Sequence, residues 1–358
     1  MYILFLIMIF IFLLIGVYYY YFANDILKKL IKNNVIRKII CIFVSIVLCF
    51  FWIFGLTIKS ILTPYMIYLT IFLIIFNLVF ILLEKYKDIS VSKLLYLIPI
   101  LLSLSICLYG KYNINNQTLT EYNIKSEKKI NKNLKILYLS DCHYGGVLEK
   151  DNLDKMMSEI YKIKDIDLVL LGGDITDEST SLDELKYIYG KLSKINNNYG
   201  IFFVYGNHDG RSYENTYYNL LENVLKENKV NLLDDEYFKV TDNISIIGRK
   251  DFYYDRRELK GIIKEDLDNI YTILLDHQPK DYDKANELKI DLILSGHTHA
   301  GQIFPGGLLI DMFNTSEKAY GCDKIGNLYS VVSSGVSGWR IPVRTEKHSE
   351  YVIINVKN

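Results

Sequence analysis

The chain has few cysteines, and none of them stands in a paired motif. Five cysteines occur in 358 residues, and no Cys-x-x-Cys spacing is present. Cys41, Cys49 and Cys107 lie in apolar runs, where a thiol behaves as a small buried or lipid-facing group. Only Cys142 and Cys322 lie elsewhere in the sequence. The sequence therefore indicates neither a disulfide framework nor a cysteine zinc site, and we expect Cys142 to be a core residue.

The chain also lacks an excess of charge of either sign, because 41 basic residues balance 41 acidic ones. Residues 1–110 contain nine Lys/Arg and three Asp/Glu, a net charge of +6. The rest of the chain has 32 basic residues against 38 acidic ones, a net charge of −6. A protein built to hold DNA or RNA presents a basic surface. The acidic C-terminal part does not predict one, so we expect no nucleic-acid partner.

Charged residues are absent from four apolar stretches in the first 110 residues. The stretches are Met1–Ala23, Ile39–Ile58, Ser60–Leu83 and Leu94–Gly110. Because about 20 residues of helix cross a hydrocarbon core of ~30 Å, the sequence predicts four transmembrane helices. Met1–Ala23 lacks the basic start and the small-residue cleavage site of a signal peptide. The absence of charge inside the stretches disfavours a transporter, since no ionisable group marks a pathway.

Basic residues divide unevenly between the loops that join these stretches. Asn24–Lys38 and Glu84–Lys93 contain eight Lys/Arg between them, whereas the turn between the second and third stretches has only Lys59. The positive-inside rule places the two basic loops in the cytoplasm. With four crossings, the whole C-terminal part then lies outside the cytoplasm. We therefore expect an integral plasma-membrane protein with an extracytoplasmic C-terminal domain, and a change of one helix would reverse that side.

The C-terminal part alternates short apolar runs with helical patterns, which predicts an α/β domain over residues 134–358. Residues 111–133 are polar with scattered Ile and Leu, and indicate either a linker or a strand laid on the domain surface. The predicted strands are Leu134–Leu139, Asp167–Leu171, Ile201–Tyr205, Ile244–Ile247, Tyr271–Leu275, Asp291–Leu294, Tyr329–Val332 and Tyr351–Val356. Helical spacing predicts helices over Asp151–Lys164, Ser181–Ile195 and Tyr213–Leu225. Asp151 is the expected N-cap of the first helix.

Side chains that can bind a metal ion follow the ends of these runs. They are Asp141, His143, Asp174, Asn207, His277, His297 and His299. Sites in open α/β sheets form beyond the carboxyl ends of the strands, so we expect these side chains to meet. A mixed set of N and O donors suits Zn, Mn or Fe. Seven ligands are too many for one ion, whereas one shared carboxylate would give two sets of four. Two ions ~3.5–4 Å apart can clamp a phosphoryl group.

The spacing within the motifs predicts how the side chains converge. Asp141 and His143 are two residues apart, as are His297 and His299. On an extended segment, both members of such a pair point to one face. Gly172 and Gly173 allow the backbone to pass closely where Asp174 enters the site.

The order of these motifs resembles the calcineurin-like metallophosphoesterase family. Between residues 134 and 340 the chain contains, in family order, Asp141-Cys-His143, Gly173-Asp174, Gly206-Asn207-His208-Asp209, His277-Gln-Pro279 and Gly296-His297-Thr-His299-Ala-Gly301-Gln302. The last two motifs look closest to the membrane-associated bacterial phosphodiesterase branch of the family. The resemblance implies an α/β four-layer (αββα) domain behind the N-terminal transmembrane region.

The resemblance also implies a role for each candidate residue. One of two divalent ions (Mn, Fe, Zn or Mg) would be held by Asp141, His143, Asp174 and His299. The other would be held by Asp174, Asn207, His277 and His297, so that Asp174 bridges the two. His208 would not bind metal. It would face the leaving-group oxygen as a general acid or a charge stabiliser, and Asp209 would orient it.

The function implied by the resemblance is that of a membrane-anchored, dimetal-dependent hydrolase of phosphoesters. The favoured interpretation is a phosphodiesterase or pyrophosphatase acting on a lipid-linked or envelope substrate, because a membrane tether holds the site near the interface. The alternatives are a phosphomonoesterase or protein phosphatase, and a non-catalytic sensor on the same scaffold. Asp177 is either a helix cap or a partner of a ligand. Arg340 and Arg344 either meet a substrate phosphate or form surface salt bridges.

Overall fold

A computed structural model describes residues 2–57, 60–87, 92–209 and 215–358. The chain forms two compact units, Met1–Tyr109 and Gly110–Asn358. Some sequence expectations fall outside the described residues. They concern the ends of two apolar stretches at Met1 and Ile58, the basic residue Lys59, part of the loop Glu84–Lys93 and the start of a helix at Tyr213.

Among the described residues, four helices are long and apolar enough to cross a membrane, as the sequence predicts. The helices are α1 (Tyr2–Leu27), α2 (Asn34–Thr57), α3 (Leu62–Lys87) and α4 (Leu97–Ile114), the last preceded by a 3-10 turn over Lys93–Tyr96. Their apolar side chains are largely exposed in the described structure, which suits a lipid environment rather than water. The fourth apolar segment runs from Lys93 to Ile114, 22 residues, and is therefore longer than the 17 residues expected from the sequence.

The second unit contains two mixed sheets of six strands each within the described residues. The first sheet has the order β1-β12-β2-β3-β4-β5 and the second the order β10-β11-β9-β8-β7-β6. The strands are β1 (Thr118–Lys125), β2 (Leu134–Leu139), β3 (Leu168–Leu171), β4 (Ile201–Phe203), β5 (Val230–Leu232), β6 (Glu236–Thr241), β7 (Ile244–Gly248), β8 (Tyr271–Leu275), β9 (Leu292–Ser295), β10 (Gly321–Ile325), β11 (Leu328–Val332) and β12 (Glu350–Lys357). All eight strands expected from the sequence are present.

Helices cover the outer faces of the two sheets. These helices are α5 (Lys150–Ile160), α6 (Leu182–Leu192), α7 (Asn215–Glu227), α8 (Leu259–Ile262) and α9 (Tyr282–Glu287), and the domain also contains α10 (Gly306–Phe313). Apolar residues of α5, α6 and α7 pack on one face of the first sheet, and those of α8 and α9 pack on one face of the second. A third cluster, with Tyr138, Phe202, Ile246 and Leu294 among its members, fills the space between the sheets. The domain is therefore the four-layer αββα arrangement that the sequence predicts.

The structure corrects one expectation, the N-cap of helix α5, and decides another, the form of residues 111–133. Helix α5 begins after Glu149, so Asp151 lies in its first turn and is not the N-cap. The positive end of the helix dipole still favours an acidic residue at this position. Within residues 111–133, the segment Thr118–Lys125 is strand β1, which pairs in parallel with β12 at the edge of the first sheet. Cys142 is buried in the cluster outside the first sheet, as expected.

Candidate metal centre

The candidate ligands lie beyond the carboxyl ends of strands from both sheets. In the first sheet, β2 leads to Asp141 and His143, β3 to Asp174 and β4 to Asn207; in the second, β8 leads to His277 and β9 to His297 and His299. Six of the seven residues are buried, and His297 is partly exposed. The two sheets therefore bring together all the ligands predicted from the sequence.

The backbone at these ligands is not extended, which corrects the geometry assumed from the spacing. Five of the ligands have a positive φ: Asp141 (52°), His143 (45°), Asp174 (52°), His297 (67°) and His299 (51°). Left-handed backbone costs a non-glycine residue roughly 1–2 kcal/mol, and such residues concentrate at functional sites. The paired side chains still converge, but they do so because the chain turns sharply after each strand.

Asp141, His143 and His299 form one buried group, with ligand atoms within 4.8 Å of one another. The Nε2 atoms of His143 and His299 are 3.3 Å apart, and His299 Nε2 lies 3.5 Å from Asp141 Oδ1. Asp174 Oδ2 lies 3.7 Å from His143 Nε2. This group has the composition that the resemblance implies for the first ion.

Asp174, His277 and His297 form a second group with the same close spacing. His277 Nε2 lies 3.2 Å from Asp174 Oδ2, and Asn207 Oδ1 lies 2.8 Å from His297 Nδ1. Asp174 Oδ2 is thus close to an imidazole of each group. It occupies the position that a bridging carboxylate requires. Each group also draws its residues from both sheets.

The orientation of the imidazoles fits the binding of metal ions. His277 Nδ1 donates to the carbonyl of Gly172 at 2.8 Å, which directs Nε2 toward Asp174. Among the described residues, Nε2 of His277 has no hydrogen-bond partner although it is fully buried. His299 is held in the same way, because its Nδ1 faces the carbonyl of Ser337 at 3.3 Å. A backbone carbonyl behind the ligand is a common way to fix the tautomer of a metal-binding histidine.

The pKa shifts differ between the histidines of the two groups. Burial would lower the pKa of His277 and of His143, but Asp174 raises the pKa of His277 well above its ordinary value, and Asp177 with Asp174 raises that of His143. Burial and the charge of His277 lower the pKa of His297 to about 3, and burial and His143 lower the pKa of His299 well below its ordinary value. Burial would raise the pKa of Asp174, but His277 and other nearby histidines lower it. Neutral imidazoles and an ionised carboxylate are the forms that bind a metal ion, so binding here would displace protons from His277 and His143.

Asp209 supports the turns that carry the candidate ligands. Its carboxylate accepts the backbone N–H of Asp174 at 2.5 Å, of Gly206 at 2.9 Å and of Thr176 at 3.0 Å. Burial, together with the charge of Asp174, raises the pKa of Asp209 to about 6. The carboxylate ties the turn after β3 to the turn after β4, so its place is behind the ligands.

Glu178 makes the contact to His208 that was expected of Asp209. His208 Nδ1 lies 2.9 Å from Glu178 Oε1, and the indole of Trp339 packs against the His208 ring at 4.9 Å. His208 Nε2 is therefore the atom available to a substrate. Glu178 follows Asp174 by four residues on the turn after β3. This short spacing from a candidate ligand is the sequence feature that could have pointed to it. Trp339 comes from a distant segment, and no spacing pointed to it.

The remaining polar candidates have structural partners. Asp177 Oδ2 lies 3.3 Å from His143 Nδ1, so Asp177 supports a ligand rather than capping a helix. Arg344 is fully buried and donates to the carbonyls of His299, Ser334 and Ser337. It neither meets solvent nor forms a surface salt bridge, and it instead holds the turn that carries His299. Arg340 is exposed, with its guanidinium 5.9 Å from the Trp339 ring.

Two adjacent groups of candidate metal ligands lie on an αββα sandwich, and the comparisons with known proteins can be set beside this geometry. The family model for calcineurin-like phosphoesterases matches residues 134–301. A metallophosphoesterase of Helicobacter pylori is 34% identical over 242 residues, 64% of this chain and 61% of that protein. The metallophosphoesterase YkoQ of Bacillus subtilis is 31% identical over 57% of this chain and 78% of its own length. A zebrafish (Danio rerio) transmembrane protein with a metallophosphoesterase domain is 28% identical over 63% of this chain and 53% of that protein.

This chain belongs to the calcineurin-like metallophosphoesterase family. It spans about three fifths of the length of the Helicobacter relative (61%). The matched segment contains all seven candidate ligands together with His208 and Asp209. Metal binding and phosphoester hydrolysis are the properties that this family membership supports, and the apolar helices support a membrane protein.

Proposed function

We propose that this protein is a membrane-anchored phosphodiesterase or pyrophosphatase that uses two divalent ions. The observation that carries the proposal is the position of Asp174 Oδ2, 3.7 Å from His143 Nε2 and 3.2 Å from His277 Nε2. One ion would be held by Asp141, His143, Asp174 and His299, and the other by Asp174, Asn207, His277 and His297. When bound, the ions would clamp the phosphoryl group and activate the attacking water.

The protein's own residues supply the remaining parts of the reaction. His208 would donate a proton from Nε2 to the leaving-group oxygen, with its Nδ1 held by Glu178. Trp339 fixes the plane of that ring from one side. Asp209 keeps the backbone of Asp174 in place and would act through it, not on the substrate. The part of the leaving group beyond the scissile oxygen would lie beside Trp339 and Arg340.

A lipid-linked or envelope phosphodiester is the substrate class we propose. Support comes from the four apolar helices, because a tether of this kind keeps the site close to the membrane surface. The excess of basic residues in the first and third loops supports an extracytoplasmic position for the domain. Residues 134–358 would then carry the catalytic activity, and residues 1–110 would provide the anchor.

The test is hydrolysis by the purified full-length chain against a panel of phosphomonoesters and phosphodiesters, with Mn²⁺ and after chelation. We expect metal-dependent cleavage of diesters to exceed cleavage of the matched monoesters. A preference for monoesters would favour a phosphomonoesterase or protein phosphatase. No hydrolysis of any ester by a metal-loaded protein would favour a sensor on this scaffold.

A further inference from the structure

Helix α10 places its large apolar side chains on the outside of the domain. Leu308, Leu309, Met312 and Phe313 are exposed by 40–67%, and Phe304, just before the helix, is 55% exposed. In a water-soluble domain an amphipathic helix turns its apolar face to the core. The four helix positions are separated by one, three, four or five residues, so they share one side of α10. An exposed patch of this kind marks an interaction surface.

The inner face of α10 is made of small residues that press against the metal-binding turn. A Cβ added to Gly307 would lie 2.7 Å from the carbonyl oxygen of Ala300, so only glycine permits this approach. Gly307 N also donates to Glu346 Oε2 at 2.9 Å. Because Ala300 directly follows His299, α10 is attached to the turn that carries a candidate ligand. The close packing of Gly307 against Ala300 therefore fixes the outward orientation of the apolar side chains.

The end of the last apolar helix attaches to the same part of the domain. Arg344 N donates to the carbonyl of Gly110 at 3.0 Å. Asn113 Nδ2 donates to the carbonyls of Arg344 and Lys347. From the other side, Phe304 N donates to Thr345 Oγ1 at 3.0 Å. The segment 344–347 therefore contacts both the last turns of α4 and the start of the apolar patch.

The length of the last apolar segment indicates where this part of the domain lies. Lys93–Ile114 has 22 residues, which as a helix reaches about 33 Å. A hydrocarbon core of ~30 Å needs almost all of that length. Gly110–Ile114 then lies at the membrane surface, and the residues around it lie there too. The neighbouring Tyr112 is 66% exposed, as is typical of tyrosines at a membrane interface.

We propose that α10, with Phe304, is a membrane-docking surface that rests its apolar side chains in the lipid interface. The occupant is the lipid bilayer of the chain's own membrane. Interfacial helices bury an apolar face about 5–10 Å into the boundary between headgroups and acyl chains. Through Gly307 and Ala300, the docked helix holds the turn with His299 close to the membrane surface. The docking is independent of which phosphoester is cleaved.

The test is fluorescence quenching in the full-length chain reconstituted in nanodiscs. Phe313→Trp adds an indole on the outer face of α10, and nanodiscs are prepared with ordinary or with brominated phosphatidylcholine. We expect the emission added by the new tryptophan to be shifted to the blue and largely lost with brominated lipid. The difference from the parent chain removes the contribution of Trp52 and Trp339.

The matched control is Phe238→Trp, on edge strand β6 of the second sheet, where the parent side chain is 39% exposed. Its added emission should be the same in both lipids. Met312→Trp repeats the experiment one residue away, in case Phe313→Trp folds poorly. Emission that is unquenched at both α10 positions overturns the proposal. A blue shift without quenching means that protein covers the patch, for example a second copy, and equally overturns the lipid assignment.

Discussion

The surroundings of His208 are those that the proposed proton transfer would require. Glu178 fixes one ring nitrogen and Trp339 covers one face of the ring, so only Nε2 remains directed toward a substrate. The adjacent Asn207 belongs to the candidate metal set, but the His208 ring itself is in neither of the two ligand groups. Asn207 and His208 are adjacent in sequence, but the proposal gives them different roles.

Replacement of His208 should separate catalysis from metal binding. We expect His208→Ala to keep its metal content and to lose roughly 10²–10⁴-fold in rate on an alkyl diester, as for loss of a general acid. Glu178→Gln should lose less, roughly 10-fold, since the ring is only misplaced. Both losses should nearly vanish on a p-nitrophenyl diester, whose leaving group needs no proton. A fall in metal content as large as that of His299→Ala would make His208 a ligand.

Asp174 should matter more for metal binding than any other carboxylate of the site. It lies in contact distance of imidazoles from both groups, whereas Asp141 belongs to one. We expect about two ions per chain under saturating metal, a loss of nearly all metal in Asp174→Asn, and a smaller loss in Asp141→Asn. Elemental analysis of the purified full-length variants measures this. Equal losses in the two variants, or one ion in the parent, would contradict the shared carboxylate.

At the scale of elements, buried strands were the most predictable parts of the fold and edge strands the least. Strands such as β3 and β4 are continuous apolar runs, because both of their faces are covered. Strand β1 alternates exposed and half-buried residues at the sheet edge, and its polar sequence also suits a linker. Only its pairing with β12, more than 200 positions away, makes it a strand.

The turns that carry the ligands were predictable in position but not in shape. Spacing placed Asp141 and His143 together, yet it could not show that both have left-handed backbone. That conformation depends on contacts from distant segments, such as the backbone N–H of His297, which donates to Asp141 Oδ1 at 3.0 Å. The contact of Glu178 with His208 joins the turns after two different strands. It could not be predicted from the sequence, because it also depends on how distant segments meet.

Helix α6 offers a test of one element's contribution to stability. Its capping box is complete: Glu184 N donates to Ser181 Oγ, and Ser181 N donates to Glu184 Oε2. Ser181→Ala should lower the free energy of unfolding by about 1 kcal/mol, which for a domain of this size lowers the melting temperature by roughly 2–4 °C. Thermal melting of the purified chain measures the shift. Ser158→Ala, at an exposed position within α5, is the control and should change little.

At the scale of the whole molecule, the side of the membrane on which the domain lies decides which substrates it meets. Because the first and third loops contain eight basic residues and the second contains one, we expect the domain to lie outside the cytoplasm. Protease added to intact protoplasts should therefore degrade the domain, and a C-terminal alkaline phosphatase fusion should be active. Complete protection together with an inactive fusion would place the domain in the cytoplasm and turn the substrate search to cytosolic phosphoesters.

Because the candidate ligands come from both sheets, bound ions would cross-link the two halves of the sandwich. Ions that bind only the folded domain stabilise it by mass action, by about 2.7 kcal/mol when free metal exceeds its dissociation constant 100-fold. The melting temperature should therefore rise with Mn²⁺ and fall after chelation. His208→Ala should retain this dependence, whereas Asp174→Asn should lose most of it. On the proposed function, a cell that withholds the metal would lower the amount of folded protein as well as its turnover, because the same ions would serve both.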